Sequence, residues 1–188
     1  QSPAIMQEVV GRLGLTTDYA MKSMFRSNVI YGVQVPFEAE FIDVPSNITL
    51  SFNVDKKGED GFAISKFVYH LKNDKIKVAP FAGTFGDTLS TEIGRIVIKQ
   101  SEYFTGEWKR TVIVRHLTLD GATAMYSSRF KAAPTDMKNK SDVLDIEIKD
   151  NSVQRADDII NTVINVYNES WVEDKNKMAV STSDFIEE

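Results

Sequence analysis

His70 and His116 are the two histidines of the chain, and they are the first residues to test for acid–base or metal chemistry. Each falls at the end of an expected strand, and the two show neither HxH nor HxxxH spacing. A structural or surface role is the simpler reading for both. Gly83-Thr84-Phe85-Gly86-Asp87-Thr88 has the glycines of a phosphate-cradling loop. It lacks the Gly-Lys-Ser/Thr ending that would bring a cation and a hydroxyl to the phosphates, so it reads as an ordinary turn.

Paired carboxylates are the requirement for glycoside hydrolysis, which needs two acids facing one bond. Glu59-Asp60 falls in a polar loop, Asp157-Asp158 in the first turns of a helix, and Glu173-Asp174 on a solvated helix face. Acids near a helix start are expected from the helix dipole alone. No GxSxG elbow occurs. With no cysteine in the chain, thiolate zinc sites, cysteine nucleophiles and disulfides are excluded. No catalytic, cofactor-binding or metal-binding residue is assigned, and no cofactor is expected. Asn47-Ile48-Thr49 and Asn168-Glu169-Ser170 match the glycosylation triplet, which is common by chance.

Aromatic side chains offer a different chemistry. Tyr103, Phe104 and Trp108 fall in one polar stretch, where rings can stack on sugars. Trp171 continues a helical stripe and is a candidate oligomer or glycan contact. Tyr103, Trp108 and Trp171 are therefore the candidate contact residues.

The elements that would carry these residues follow from periodicity. Ser2-Pro3 has the form of a helix start, with Ser as N-cap and Pro at the first helical position. Ile5, Val9 and Leu13 follow helical spacing, and Gly14 is a natural stop. A second short helix is expected over Asp18 to Arg26. The middle reads as β: Phe37 to Ile42, Ile48 to Val54, Phe62 to Tyr69, Ile76 with Val78, and Arg95 to Lys99. Gly83 to Gly94 is expected to be a loop with a turn at each end. Thr111 to Arg115 fits a strand or an early helix, Leu119 to Arg129 a short helix, and Val143 to Ile148 a strand.

The clearest helix follows. Asn151 with Gln154 three residues on is a candidate capping box. Ala156, Ile159, Ile160, Val163, Tyr167 and Trp171 recur at helical spacing. Over its first four turns that stripe is expected to pack on the sheet, and beyond Trp171 it thins. The expected fold class is α+β: a mixed β-sheet base packed with an N-terminal helix and a long C-terminal helix. The whole of 1–188 reads as one domain, with a β-rich base over about 1–150 and a long, cut-off helix over about 152–188.

Composition sets outer limits. Hydrophobic residues are 42% and charged residues 26%, and eleven Phe supply bulk for a core, so a wholly disordered chain is not expected. A net charge of −5 argues against nucleic-acid binding, which needs a basic face. The Lys72, Lys75 and Lys77 cluster is read as a solvated hairpin. No stretch approaches the 18 apolar residues of a membrane span.

Several segments, in order, resemble the chain-length determinant proteins, the Wzz/Wzc polysaccharide co-polymerases. Ser2-Pro3-Ala4-Ile5-Met6-Gln7-Glu8-Val9-Val10, then Arg12-Leu13-Gly14-Leu15, is similar to the segment after that family's first transmembrane helix. Gly86-Asp87-Thr88-Leu89-Ser90-Thr91-Glu92-Ile93-Gly94-Arg95-Ile96 resembles its turn and short strand, with Glu92 where the family carries proline. Asp145-Ile146-Glu147-Ile148, Asp150, Arg155-Ala156, Ile159-Ile160-Asn161 and Val166-Tyr167 resemble its strand and helix. Ser183-Asp184-Phe185-Ile186-Glu187-Glu188 looks like the start of the next helical arm.

The resemblance is to the bacterial tyrosine autokinase branch. It implies a non-catalytic periplasmic domain at the inner membrane, joined to transmembrane helices and a cytoplasmic kinase domain that this sequence does not contain. The implied partners are further copies of itself in a ring and the polysaccharide polymerase or export machinery, with polysaccharide as a candidate contact. Two other readings are carried beside it. One is a carbohydrate-binding module using Tyr103, Phe104 and Trp108, and the other is a hydrolase built on one of the acidic pairs.

Overall fold

The computed structural model describes residues 3–72, 74–134 and 143–186, with side chains of the last helix described as far as Ala179. In chain order the elements are α1 (Pro3–Arg12), β1 (Thr17–Lys22), β2 (Ser27–Ile30), β3 (Phe37–Phe41), β4 (Thr49–Lys57), β5 (Gly61–Leu71), β6 (Asp74–Val78), β7 (Phe81–Thr84), β8 (Thr88–Thr91) and β9 (Gly94–Gln100). Then come β10 (Val112–His116), α2 (Leu119–Arg129), β11 (Phe130–Pro134), β12 (Leu144–Ile148) and α3 (Val153–Ile186). The class is α+β.

A seven-stranded sheet runs β2-β1-β10-β4-β5-β6, with β7 also paired to β5. A three-stranded sheet runs β3-β9-β8, and β11-β12 form a separate hairpin. Among the described residues every pairing is antiparallel, so the expected mixed sheet is corrected. The pairs β1–β2, β4–β5, β5–β6 and β8–β9 are each joined by a turn too short for the crossover that a parallel pair demands.

Two hydrophobic cores form. In the first, the seven-stranded and three-stranded sheets meet face to face, burying Phe52, Ile64, Phe67 and Val114 against Phe37, Ile96 and Ile98. In the second, Met6, Val9 and Val10 of α1 pack with Tyr126 of α2, Phe130 of β11, and Ile159, Val163 and Val166 of α3. The helices thus make their own core with the β11–β12 hairpin. Burying each such aliphatic side chain contributes about 1.5–3 kcal/mol.

Local sequence explains several choices. The alternation of Phe62 and Ile64 slips to Phe67 and Tyr69 because β5 carries a bulge there. The register shifts between Ser51 and Asn53, and Lys66 takes a φ of 51° with its side chain in solvent. The end of α1 is a Schellman motif: Leu15 N donates to Val10 O, Gly14 N donates to Gly11 O, and Gly14 supplies the φ of 63°. The Ser2 cap lies outside the described residues.

Three other expectations need correction. Asp18 to Arg26 is not helical; it forms β1 and the turn into β2, with Tyr19 paired to Ile30 and to Val114. Its intermittent apolar residues fit one strand face as well as a helix stripe, and sheet pairing decides. Gly83 to Gly94 is not a single loop, since β8 lies within it and pairs with β9. The start of α3 is capped by Ser152, whose Oγ accepts from Arg155 N at 3.3 Å, rather than by Asn151 with Gln154. The Thr111–Arg115 segment resolves as strand β10. Glu187 and Glu188 lie outside the described residues.

Candidate functional site

The two histidines are held apart by register. His116 pairs with Leu50 and His70 with Thr49, so adjacent residues of β4 send them to opposite faces of the sheet. His70 is exposed, and His116 opens onto a cleft. Among the described residues, no group of three His, Asp or Glu side chains is placed to hold a metal ion.

The glycines of the phosphate-loop candidate have packing reasons. A Cβ on Gly83 would meet the Phe62 ring at 2.7 Å and Leu89 at 3.0 Å. Gly86 takes a φ of 86° where the chain turns from β7 into β8, passing from one sheet to the other. Of the acidic pairs, Glu59 and Asp60 sit in the β4–β5 turn, Glu173 pairs with Lys177 at 2.7 Å, and Asp158 lines the same cleft as Tyr31. Burial, with the nearby Asp158 carboxylate, pushes the Tyr31 phenol up to about 12.

A cleft of about 610 Å³ lies where α3 meets β1 and β3. Tyr19, Tyr31, Phe41 and His116 line it together with Glu38, Glu40 and Asp158. Thr17 Oγ1 is 3.0 Å from His116 Nδ1, and the Phe41 ring lies 4.4 Å from the imidazole. Burial lowers the His116 pKa, so the folded state favours the neutral ring. The unfolded chain then takes up the proton first. The His116 contribution to stability is fully present above the ordinary histidine value near 6.5 and declines as pH falls below it. Thermal melts at pH 7 and pH 5 should show a smaller drop for His116→Gln than for the native chain. Equal drops would remove His116 as a titrating group.

A denser polar node stands behind this cleft. Arg155 on α3 is buried, with its side chain 4% exposed. Its Nη1 donates to Asp18 Oδ1 at 2.7 Å, and Nη2 donates to Asp150 Oδ1 at 2.8 Å. Nε donates to both oxygens of Asp150, whose side chain is 0% exposed, at 3.0 and 2.9 Å. Tyr31 and Tyr126 pack within 5.9 and 5.8 Å of the guanidinium carbon. Burial works against the charge on Arg155, but the hydrogen bonds to Asp150 and the fields of Tyr126 and Asp18 more than offset it, and its pKa is raised. A guanidinium so held donates and neutralises; it exchanges no proton. This node ties β1 to the first turn of α3 and sets the direction of the helix.

That direction carries α3 beyond its core. Arg155, Ile159, Val163 and Val166 form its buried stripe, and from Tyr167 to Ala179 each described side chain is exposed. The stripe expected through Tyr167 and Trp171 therefore leaves the core after Val166, and these two rings are 54% and 55% exposed. Arg12 of α1 grips Glu169 through two bonds of 3.0 and 2.6 Å just past that point. An exposed pair of this kind adds little to stability, and it marks where the free part of the helix starts. Trp171 lines the groove between α1 and α3, with Lys175 Nζ 5.3 Å from its ring centroid.

The other candidate contacts lie elsewhere. Tyr103 is exposed. Trp108 packs against the first core, its ring 5.0 Å from Phe37 and 5.7 Å from Phe85, and its Nε1 donates to Arg110 O at 2.9 Å. The structure does not bring Tyr103, Trp108 and Trp171 into one site. Sequence reading did not find the Arg155 node. Its signal was a lone cation one turn before Ile159 on an otherwise apolar helix face. Among the described residues no helix is long and apolar enough to cross a membrane. No protein-family model matches this chain, and no curated protein matches it either.

Proposed function

We propose that the chain is an assembly module, the periplasmic domain of an inner-membrane polysaccharide co-polymerase that oligomerises to regulate the chain length or export of a polysaccharide. One observation carries this reading. A 34-residue helix is anchored at its base by a buried ion cluster and then leaves its core bearing exposed Tyr167, Trp171 and Val172. An amphipathic helix that outruns its own core presents a seam to another surface. The sequence motifs that resemble chain-length determinants give that surface its identity: further copies of the same protein. The finer arrangement, a sheet base on which the N-terminal helix and the long helix are mounted, belongs to this reading.

Sedimentation of the full-length parent protein in detergent tests it. A higher oligomer is expected, and a strict monomer would count decisively against a ring. Trp171→Ala should weaken that oligomer by about tenfold or more, as removal of an aromatic anchor does. It should change the stability of the isolated chain by no more than about 0.5 kcal/mol, because the ring is outside the core. A carbohydrate-binding module needs neighbouring exposed rings. Trp108 is engaged by Phe37 and Phe85, which leaves Tyr103 without it as a second platform.

A further inference from the structure

The hairpin between β1 and β2 ends in two large apolar side chains that touch no core. Met24 is 87% exposed and Phe25 is 93% exposed. Ser23 N closes the turn by donating to Arg26 O at 2.7 Å, which leaves Met24 and Phe25 at the tip. Turns of this kind favour Gly, Asn, Asp and Ser for backbone reasons, and neither folding nor solubility gains from Met-Phe here. A departure from local rules without a structural return marks a functional position.

The tip is ringed by cations. Lys22 and Arg26 flank it in sequence, and Lys22 N donates to Thr111 O, which sets the 101–111 segment alongside. Lys22, Met24, Lys109 and Arg110 line one shallow hollow with Asp55 and Thr111. Asp55 is engaged by the Thr111 hydroxyl at 2.6 Å, and Lys109 pairs with Glu107. Among the described residues no carboxylate pairs with Lys22, Arg26 or Arg110.

We propose that this tip docks on an anionic phospholipid surface, with Met24 and Phe25 entering the headgroup–acyl boundary and Lys22, Arg26 and Arg110 meeting lipid phosphates. The apolar pair and the basic rim supply the two signals that stable but reversible membrane attachment requires. Long cationic side chains reach phosphate while their stems lie along apolar surface. A bilayer is favoured over a protein partner because the apolar patch is confined to two side chains at the tip of a turn. A standard protein interface buries far more surface on each side and needs shape complementarity. A fluid surface accepts two inserted side chains without it. The inference does not depend on the assembly reading, since vesicle binding and oligomerisation in detergent are measured separately.

Co-sedimentation of the 188-residue chain with vesicles provides the test. Vesicles of phosphatidylcholine with about 30% phosphatidylglycerol should bind it, and phosphatidylcholine alone should not. Phe25→Asp and Arg110→Glu should each lower binding about tenfold or more, and raising salt from about 0.05 to 0.5 M should release the native chain. All these positions are exposed, so circular-dichroism melts should match the native chain. Phe25→Trp should show blue-shifted emission on adding the anionic vesicles. No binding by the native chain, equal binding by Phe25→Asp, or unshifted Trp emission would overturn the proposal. So would a native chain that ignores vesicles but self-associates in a manner lost in Phe25→Asp, which would make the tip a protein contact.

Discussion

Arg155→Ala is expected to lower the unfolding free energy by about 3–5 kcal/mol and the melting temperature by about 10 °C or more. The alanine leaves Asp150 in the interior without its main partner. Arg129 is the other cation near it, at 3.9 Å and partly exposed, too distant to replace the two-pronged grip of Arg155. The cost is the penalty of a buried, uncompensated carboxylate, which is larger than the net worth of the intact pair. Replacing Arg155 together with its fully buried partner, Arg155→Met with Asp150→Asn, should therefore recover much of the loss, since the remaining Asp18 carboxylate is partly open to solvent. The Asn retains an acceptor for Ser152 N, which Asp150 Oδ1 now binds at 2.8 Å. A melt of Arg155→Ala within about 2 °C of the native chain would show that the node does not hold the base of α3.

The functional readout of the same substitution is direction, because the node joins β1, the turn before α3 and α3 itself. Loosening it should raise amide exchange in the first turns of α3 before it does so in the seven-stranded sheet. If α3 carries the assembly seam, the parent oligomer should weaken in Arg155→Ala although no atom of that side chain reaches the exposed part of the helix.

Periodicity exposed the elements that bury one face. The alternation in Ile48–Val54 and the helical spacing after Ser152 both survive in β4 and α3, since burial enforces them. It failed where apolar residues are sparse. Over Asp18 to Arg26 the strand is held from both sides, by the adjacent β2 and by Val112–His116, almost a hundred residues away. No local signal reports a partner that distant. The same limit hid the Asp18–Arg155 contact, 137 positions apart in sequence. Trp108 shows a third limit. Its polar neighbours Glu107, Lys109 and Arg110 give the look of an exposed loop aromatic, while its ring closes the edge of the first core. Met24 and Phe25 show the reverse: apolar residues that a helix stripe would have buried are in solvent at a turn.

Phe37→Ala is expected to cost about 3–5 kcal/mol, the range for deleting a buried aromatic ring. Phe37 opens β3, is 0% exposed, and stands where the three-stranded sheet meets the seven-stranded one. Tyr19 of β1 meets its ring edge-on at 5.7 Å, and the Tyr19 hydroxyl accepts from Ala39 N at 2.9 Å, so the two sheets are joined on both sides of the residue. Trp108 covers its outer side and passes the contact on to Phe85. Removing Phe37 leaves Trp108, tied to Arg110 O through its Nε1, beside a cavity. The losses from Phe37→Ala and Trp108→Ala should then be non-additive, with a coupling of about 0.5–1.5 kcal/mol in a double-mutant cycle followed by denaturant unfolding. That coupling separates two roles for Trp108. A sugar platform resting on the surface would lower stability little when removed and would act independently of Phe37. A ring that seals the sandwich would lower it in both backgrounds, and less where Phe37 is already gone. Additive losses, or a neutral Trp108→Ala, would return this loop to the list of candidate glycan contacts.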